Sequence, residues 1–362
     1  MKLILLLTVV CACYATSHAQ FAGLSSIAEA AAAAARRRFS DNSTRLRKDP
    51  IREPLLLIAE PFGISRVNLT AHVRRLILRT DNIGGVEYHL GRDCIYWSDL
   101  STGRIYARSL AAEGRAGYKV KLLIDRSPLE WRPRALAIDY VNEKLYVVDS
   151  RGKKIHVFDL DGKDHSVIFD GFLHEPMDIA VDPQEGVMFI ADGMRIIRVN
   201  MDGTEPKAVV AHPRYYIKSV TLDLENKHVY WSDNTYHRIK SANYDGSNLT
   251  VVLKNEHGKA FSLLGPANLA FNQGLLYFYD DIWRRVASVK VSTLGDGHAV
   301  ESSYKIVYDG VTVKAMRIVR PADQHVDVKN PCAANNGLGD CEKLCLISPK
   351  KRTDGPLTYK CL

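Results

Sequence analysis

The chain has 362 residues, 46% of them hydrophobic and 25% charged, enough apolar side chain for one large packed core with a small module beside it. Its formal charge of +8 sits mainly at the start: residues 1–52 hold eight Lys and Arg against three Asp and Glu. The remainder is only weakly basic, which excludes nucleic acid as the expected partner. No stretch after residue 19 reaches the roughly 18 uninterrupted apolar residues of a membrane helix, so no membrane span is expected.

Met1-Lys2, an apolar run from Leu3 to Ala12 and the small-residue site Ser17-His18-Ala19 predict a signal peptide over 1–19 and a secreted, extracellular product. Residues 20–52 combine an alanine run with one-signed charge and no apolar face, which predicts a disordered tail. Asn42, Asn68 and Asn248 each open an Asn-x-Ser/Thr acceptor for N-glycosylation. Of seven cysteines, Cys11 and Cys13 belong to the leader, and Cys332, Cys341, Cys345 and Cys361 crowd the end, where an oxidising compartment makes them disulfides. Cys94 is left over, either free, paired between molecules, or buried and inert.

From residue 53 the pattern changes to short β-rich runs separated by Asp-Gly, Asn and Pro turns. One core recurs: Tyr96-Trp97-Ser98-Asp99, Tyr146-Val147-Val148-Asp149, Phe189-Ile190-Ala191-Asp192, Tyr230-Trp231-Ser232-Asp233 and Tyr277-Phe278-Tyr279-Asp280. The spacings of 50, 43, 41 and 47 residues fit one four-stranded propeller blade per repeat. A blade alone has two apolar faces, so blades must stack around an axis to bury them. Five repeats are explicit. A sixth blade is assembled from residues 55–78 with the late segments "YKIVYDG" and "VKAMRIVR", so that the two ends close the ring over 53–321 and leave no open strand edge.

Five copies of one aspartate argue for architecture. Asp99, Asp149, Asp192, Asp233 and Asp280 are expected to accept backbone N–H groups of the adjoining loops. Tyr96, Tyr146, Phe189, Tyr230 and Tyr277, with Trp97 and Trp231, are expected to wedge between blades.

With these repeats the chain resembles the six-bladed YWTD propeller of the low-density lipoprotein receptor family, through "YWSD" twice and through whole blades such as "LDLENKHVYWSDNTYHRIKSANYDG". The resemblance implies an all-β six-bladed propeller followed by a small disulfide-rich module like that of epidermal growth factor, here over 330–362. It also implies the pairings Cys332–Cys345 and Cys341–Cys361, and it departs from the family in lacking a fifth and sixth cysteine. "DVKNPC" offers one acidic residue before the first cysteine, so no calcium is expected there, and no cofactor or metal is expected elsewhere.

For function, the absence of G-x-S-x-G, H-E-x-x-H and a phosphate-binding glycine loop points away from an enzyme. Loops into the inner strands and loops after the second strands share one face of the disc. They carry Trp131, Arg132, Arg134, His174, Glu175, Arg214, Tyr215 and Tyr216, then Arg151, Met194, Tyr236, His237, Trp283 and Arg284. Trp, Tyr and Arg dominate interface energetics, so an extracellular protein ligand is expected on that face. The candidates are Trp131, Arg134, Glu175, Tyr215, Tyr216, Tyr236, His237 and Trp283, with His174 and His237 as candidate pH-sensitive contacts. Two other functions stay open: a carrier of a small apolar or pigment-like ligand in the funnel of the ring, and a calcium-dependent hydrolase.

Overall fold

The computed structural model describes residues 54–70, 73–110, 120–171, 173–255, 263–291, 299–324, 330–349 and 357–362. The chain divides into Met1–Arg52 and Glu53–Leu362. The signal peptide, the alanine- and arginine-rich tail and Asn42 lie outside the described residues.

Six four-stranded antiparallel sheets follow one another along the second unit. Blade 2 runs Ile83–His89, Cys94–Asp99, Arg104–Ser109, Lys121–Asp125; blade 3 runs Pro133–Asp139, Lys144–Asp149, Lys154–Asp159, His165–Asp170. Blade 4 runs Pro176–Asp182, Val187–Asp192, Arg195–Asn200, Lys207–Ala211; blade 5 runs Ile217–Asp223, His228–Asp233, Arg238–Asn243, Thr250–Lys254. Blade 6 runs Pro266–Asn272, Leu275–Asp280, Arg285–Val291, Ala299–Tyr308.

Blade 1 closes the ring. Its inner strand Ala315–Val319 comes from the far end of the propeller and pairs with Leu55–Glu60, followed by Gly63–Asn68 and Arg74–Leu78. The expected latch is therefore present, with one correction: "YKIVYDG" is not part of it. Tyr304 to Tyr308 belong to the outer strand of blade 6, pairing with Arg285–Val291. A weakly alternating strand carries no label of its blade, and the short 309–314 connection hides the boundary.

Each blade interface is a separate apolar cluster. Tyr146, Val148, Ile155 and Val157 of blade 3 pack with Ile179, Met188, Ile190 and Ile197 of blade 4, and Phe189 and Val187 pack onward with Val220, Val229 and Trp231 of blade 5. The second strands alternate sides, one residue toward each neighbouring blade, and each fully buried large side chain contributes ~1.5–3 kcal/mol. The Asp-Gly turns lock these interfaces further: Gly203 and Gly246 adopt φ of 84° and 91°, and a Cβ on either would run into a backbone carbonyl of the preceding blade's outer strand.

Aspartates pin both ends of the blades. Asp149 Oδ1 accepts N–H groups of Arg132, Arg151 and Gly152 at 2.9–3.0 Å, and Asp192 Oδ1 accepts His174 and Glu175 at 2.8 and 2.7 Å. Asp280 takes Leu264, Gly265, Ile282 and Trp283. Asp99 holds only its own turn, through Ser101 and Thr102. At the opposite ends Asp139, Asp182 and Asp223 hold the next turn in the same way. The serine of the two YWSD motifs has its own task. The inner strand bulges near its start, and Ser98 and Ser232 hydroxyls accept the N–H groups of Gly85 and Ser219 freed there.

The module carries disulfides Cys332–Cys345 and Cys341–Cys361 and a two-stranded sheet, Cys345–Ser348 with Thr358–Cys361. It docks on the turn side of blades 3 and 4. Leu344 and Leu346 join the apolar cluster of those blades, Asn142 Nδ2 donates to Cys345 O, Asn330 Nδ2 to Val141 O, and Ser348 Oγ to Asp202.

Candidate functional site

With the module on one face, the opposite face is formed by the loops into the inner strands and the turns between second and third strands, as the pairing of Pro133 with Asp149 and of Ile217 with Asp233 requires. Six large apolar side chains are exposed there: Phe62, Leu129, Met194, Tyr216, Ile282 and Trp283. They come from blades 1, 4, 5 and 6 and from the loop joining blades 2 and 3. Two of them carry cations over their rings: Lys218 over Tyr216 at 5.9 Å and Arg285 over Trp283 at 5.2 Å.

The expected ligand-face residues separate into three groups. Tyr216 and Trp283 are exposed on the rim, as is Glu175, which packs beside Gly193. Tyr215 and Tyr236 are half-buried in a ring cluster with His212, centroids 4.6 to 6.3 Å apart, and His237 is half-buried beside them with φ 51°. Arg134 reaches the central funnel, a cavity of about 260 Å³ also lined by Lys218, Asp281, Asp178 and Arg317. Trp131 is a correction. It is only 2% exposed, its ring edge-on to His156 at 4.6 Å and to Phe158 at 6.2 Å. A single large aromatic in a loop of otherwise exposed residues packs inward because that is where its area is removed from water.

Cys94 is half-buried with a free thiol, and burial raises the thiol pKa above its usual value.

The axis holds what the sequence did not reveal. Arg317, from the latch strand, donates Nε to Glu87 at 2.8 Å and Nη2 to Asp178 at 2.6 Å, and also to the carbonyls of Leu136 and Ile179. Asp178 in turn accepts the Ser219 hydroxyl and the Val220 N–H, and Ser219 accepts the Leu269 N–H. This network touches all six inner strands and plugs the channel. Burial pushes the Glu87 carboxyl up to about 7 despite Arg317, while its two carboxylates raise Arg317 further above its usual value against burial. Glu87 and Arg317 stand at the same inner-strand place, opposite the third residue of the second strand, and Asp178 stands two residues earlier in its own strand; no motif marks them, so only the ring brings them together.

No family model matches the chain. It is 27% identical over 305 residues to the vitellogenin receptor Yl of Drosophila melanogaster, a match that covers 82% of this chain and 14% of that receptor. The propeller is of the YWTD type, as in the low-density lipoprotein receptor family. A nidogen/laminin complex superposes with a TM-score of 0.61 at 21% identity, covering 73% of this chain and 98% of the matched chain, which supports the same fold.

Proposed function

We propose that this YWTD propeller is a secreted, non-enzymatic binding protein that engages an extracellular protein ligand through the face opposite its disulfide-bonded module. The observation that carries the reading is the set of exposed Phe62, Leu129, Met194, Tyr216, Ile282 and Trp283 on that one face, with Arg132, Arg151 and Lys153 exposed among them. Apolar anchors ringed by cations are the composition of a protein interface. The two described sequons support it: Asn68 and Asn248 sit at turns of the module's face, so glycans carried there leave the other face open.

The alternatives fit less well. A small apolar ligand in the funnel would have to strip water from Arg134, the Lys218–Asp281 ion pair and Arg317 with nothing polar to replace it. A calcium-dependent hydrolase needs carboxylates converging on a cation at the axis, and here the guanidinium of Arg317 fills that place between Glu87 and Asp178.

The test is binding of the secreted chain to extracellular proteins of its source tissue, identified by mass spectrometry and then measured with each purified partner. Joint replacement Tyr216→Ala, Ile282→Ala and Trp283→Ala is expected to weaken binding at least a hundredfold, whereas Tyr359→Ala on the module leaves it unchanged. Undiminished binding by the triple variant would sink the reading.

A further inference from the structure

Beside blade 3 lies a cavity of about 470 Å³ under the 126–132 loop, lined by Arg126, Glu130, Trp131, Asp149, Lys154 and His156 among others. His156 is 4% exposed. Its Nδ1 lies 2.8 Å from His165 Nε2, and Arg126 Nη2 lies 3.0 Å from His165 Nδ1 and 3.3 Å from its Nε2. Burial, then Arg126 and His156, push His165 down to about 4, so its ring is neutral. Arg126 only donates; His165 therefore accepts at the nearer Nδ1, donates from Nε2 to His156, and leaves the His156 proton on Nε2.

That N–H has no hydrogen-bond partner. It lies on the ring edge away from His165, 3.7 Å from Asp149 Oδ2, on the side lined by Asp149 and Gly152. Trp131 Nε1–H, on the same wall, is unpartnered as well. A buried donor left unmade costs ~1–3 kcal/mol. Asp149 does not satisfy either donor: Oδ2 stands 3.7 Å from His156 Nε2, beyond hydrogen-bond reach, and Oδ1 is occupied by three backbone N–H groups.

The lining carries both signs, Arg126 and Lys154 against Glu130 and Asp149, and the pairing decides which charge is left over. Arg126 makes its hydrogen bonds through Nη2 alone, and Arg132, Arg151 and Lys153 are exposed without an ion pair among the described residues. Lys154 is paired with Asp170 at 2.8 Å, so Glu130 is the acidic group that remains at the opening. Two unpartnered donors beside the Arg126 guanidinium select an acceptor that carries negative charge.

We infer that this cavity is a carboxylate subsite, taking an Asp or Glu side chain presented by the protein partner, with Arg126 as its charged donor and His156 and Trp131 as neutral ones. The assignment of the carboxylate to a protein rests on the partner-face reading above; the subsite itself does not.

The experiment is a titration of the full secreted chain labelled with 15N-tryptophan, reading the indole N–H signals. Sodium acetate and the end-blocked peptide acetyl-Gly-Glu-Gly-amide are expected to shift the Trp131 signal saturably, while sodium chloride at equal ionic strength and acetyl-Gly-Gln-Gly-amide do not. Trp97, Trp231 and Trp283 serve as unmoved controls of folding. Arg126→Gln is expected to raise the half-saturating concentration about tenfold, the loss of one charge-assisted hydrogen bond. A shift with acetate but none with acetyl-Gly-Glu-Gly-amide would assign the site to a free small carboxylate and overturn the protein assignment. No saturable shift with either, or the same shift with chloride, would overturn the subsite. Neither result touches the Tyr216, Ile282 and Trp283 test, so the two readings fail separately.

Discussion

Blades 3 and 5 solve the same local problem with different residues. Trp131 and Tyr215 each stand two residues before an inner strand, His156 and Lys240 each occupy the third place of a third strand, and Asp149 and Asp233 end the second strands beside them. In blade 5, Lys240 Nζ donates to Tyr215 OH at 2.6 Å and sits 3.7 Å from Asp233 Oδ2, which is left without a hydrogen-bond partner. In blade 3, the Trp131 indole cannot accept that bond, His156 turns instead to His165, and two N–H groups are left over. A repeat fold thus keeps its frame while equivalent places carry different polar groups, an unmet acceptor in blade 5 and unmet donors in blade 3.

The difference shows in the aspartates. Burial dominates at Asp233 and raises its pKa even against Lys240. Burial also works against the charge of Asp149, but His156 and the N–H groups of Gly152, Arg132 and Arg151 together hold it below the usual range.

Substitutions sharpen this contrast. The largest effect is expected at the axis both blades share: Arg317→Leu leaves Glu87 and Asp178 buried without their cation and should cost ~3–5 kcal/mol by denaturant unfolding, the loss expected from breaking a buried pair. Next is Lys240→Met, which strands Asp233 and Tyr215 OH and should cost ~2–3 kcal/mol. His156→Leu should cost less, ~1 kcal/mol, because half of its ring is already without a partner. Equal losses at Lys240 and His156 would break the comparison.

Smaller, and readable by pH, is His165. Its folded pKa of about 4 lies below the unfolded 6.5, so the unfolded chain binds the extra proton and stability falls as pH drops from 6.5 to 4. His165→Gln should remove that part of the decline in melting temperature, with the residual slope carried by carboxylates at lower pH. Glu87 acts in the opposite sense: its folded pKa of about 7 lies above the unfolded 4.5, and its contribution, present below 4.5, is lost as pH rises through 7. Glu87→Gln should flatten the melting temperature between pH 4.5 and 7.

The frame was legible because it repeats. Tyr96 to Asp99 and its four echoes carry period, strand order and blade number, and every copy adds weight to one reading. The latch was legible in part: "VKAMRIVR" was placed correctly, "YKIVYDG" one blade away, since a single strand without a motif has no register of its own. The candidate site was legible only as a face. Loop position gives the exposure of Tyr216 and Trp283, but the same rule put Trp131 on the surface, where burial against His156 and Phe158 overrides it. Glu87, Asp178 and Arg317 lie far apart in the sequence and share no motif, and nothing short of the closed ring joins them.

The partner face is the central claim, and site-specific photocrosslinking tests it most directly. With a benzophenone side chain placed at Met194 or Ile282 on one face, and at Leu249 or Tyr359 on the other, adducts to an extracellular protein are expected from the first pair alone. Adducts from Leu249 or Tyr359, with none from Met194 or Ile282, would contradict the account.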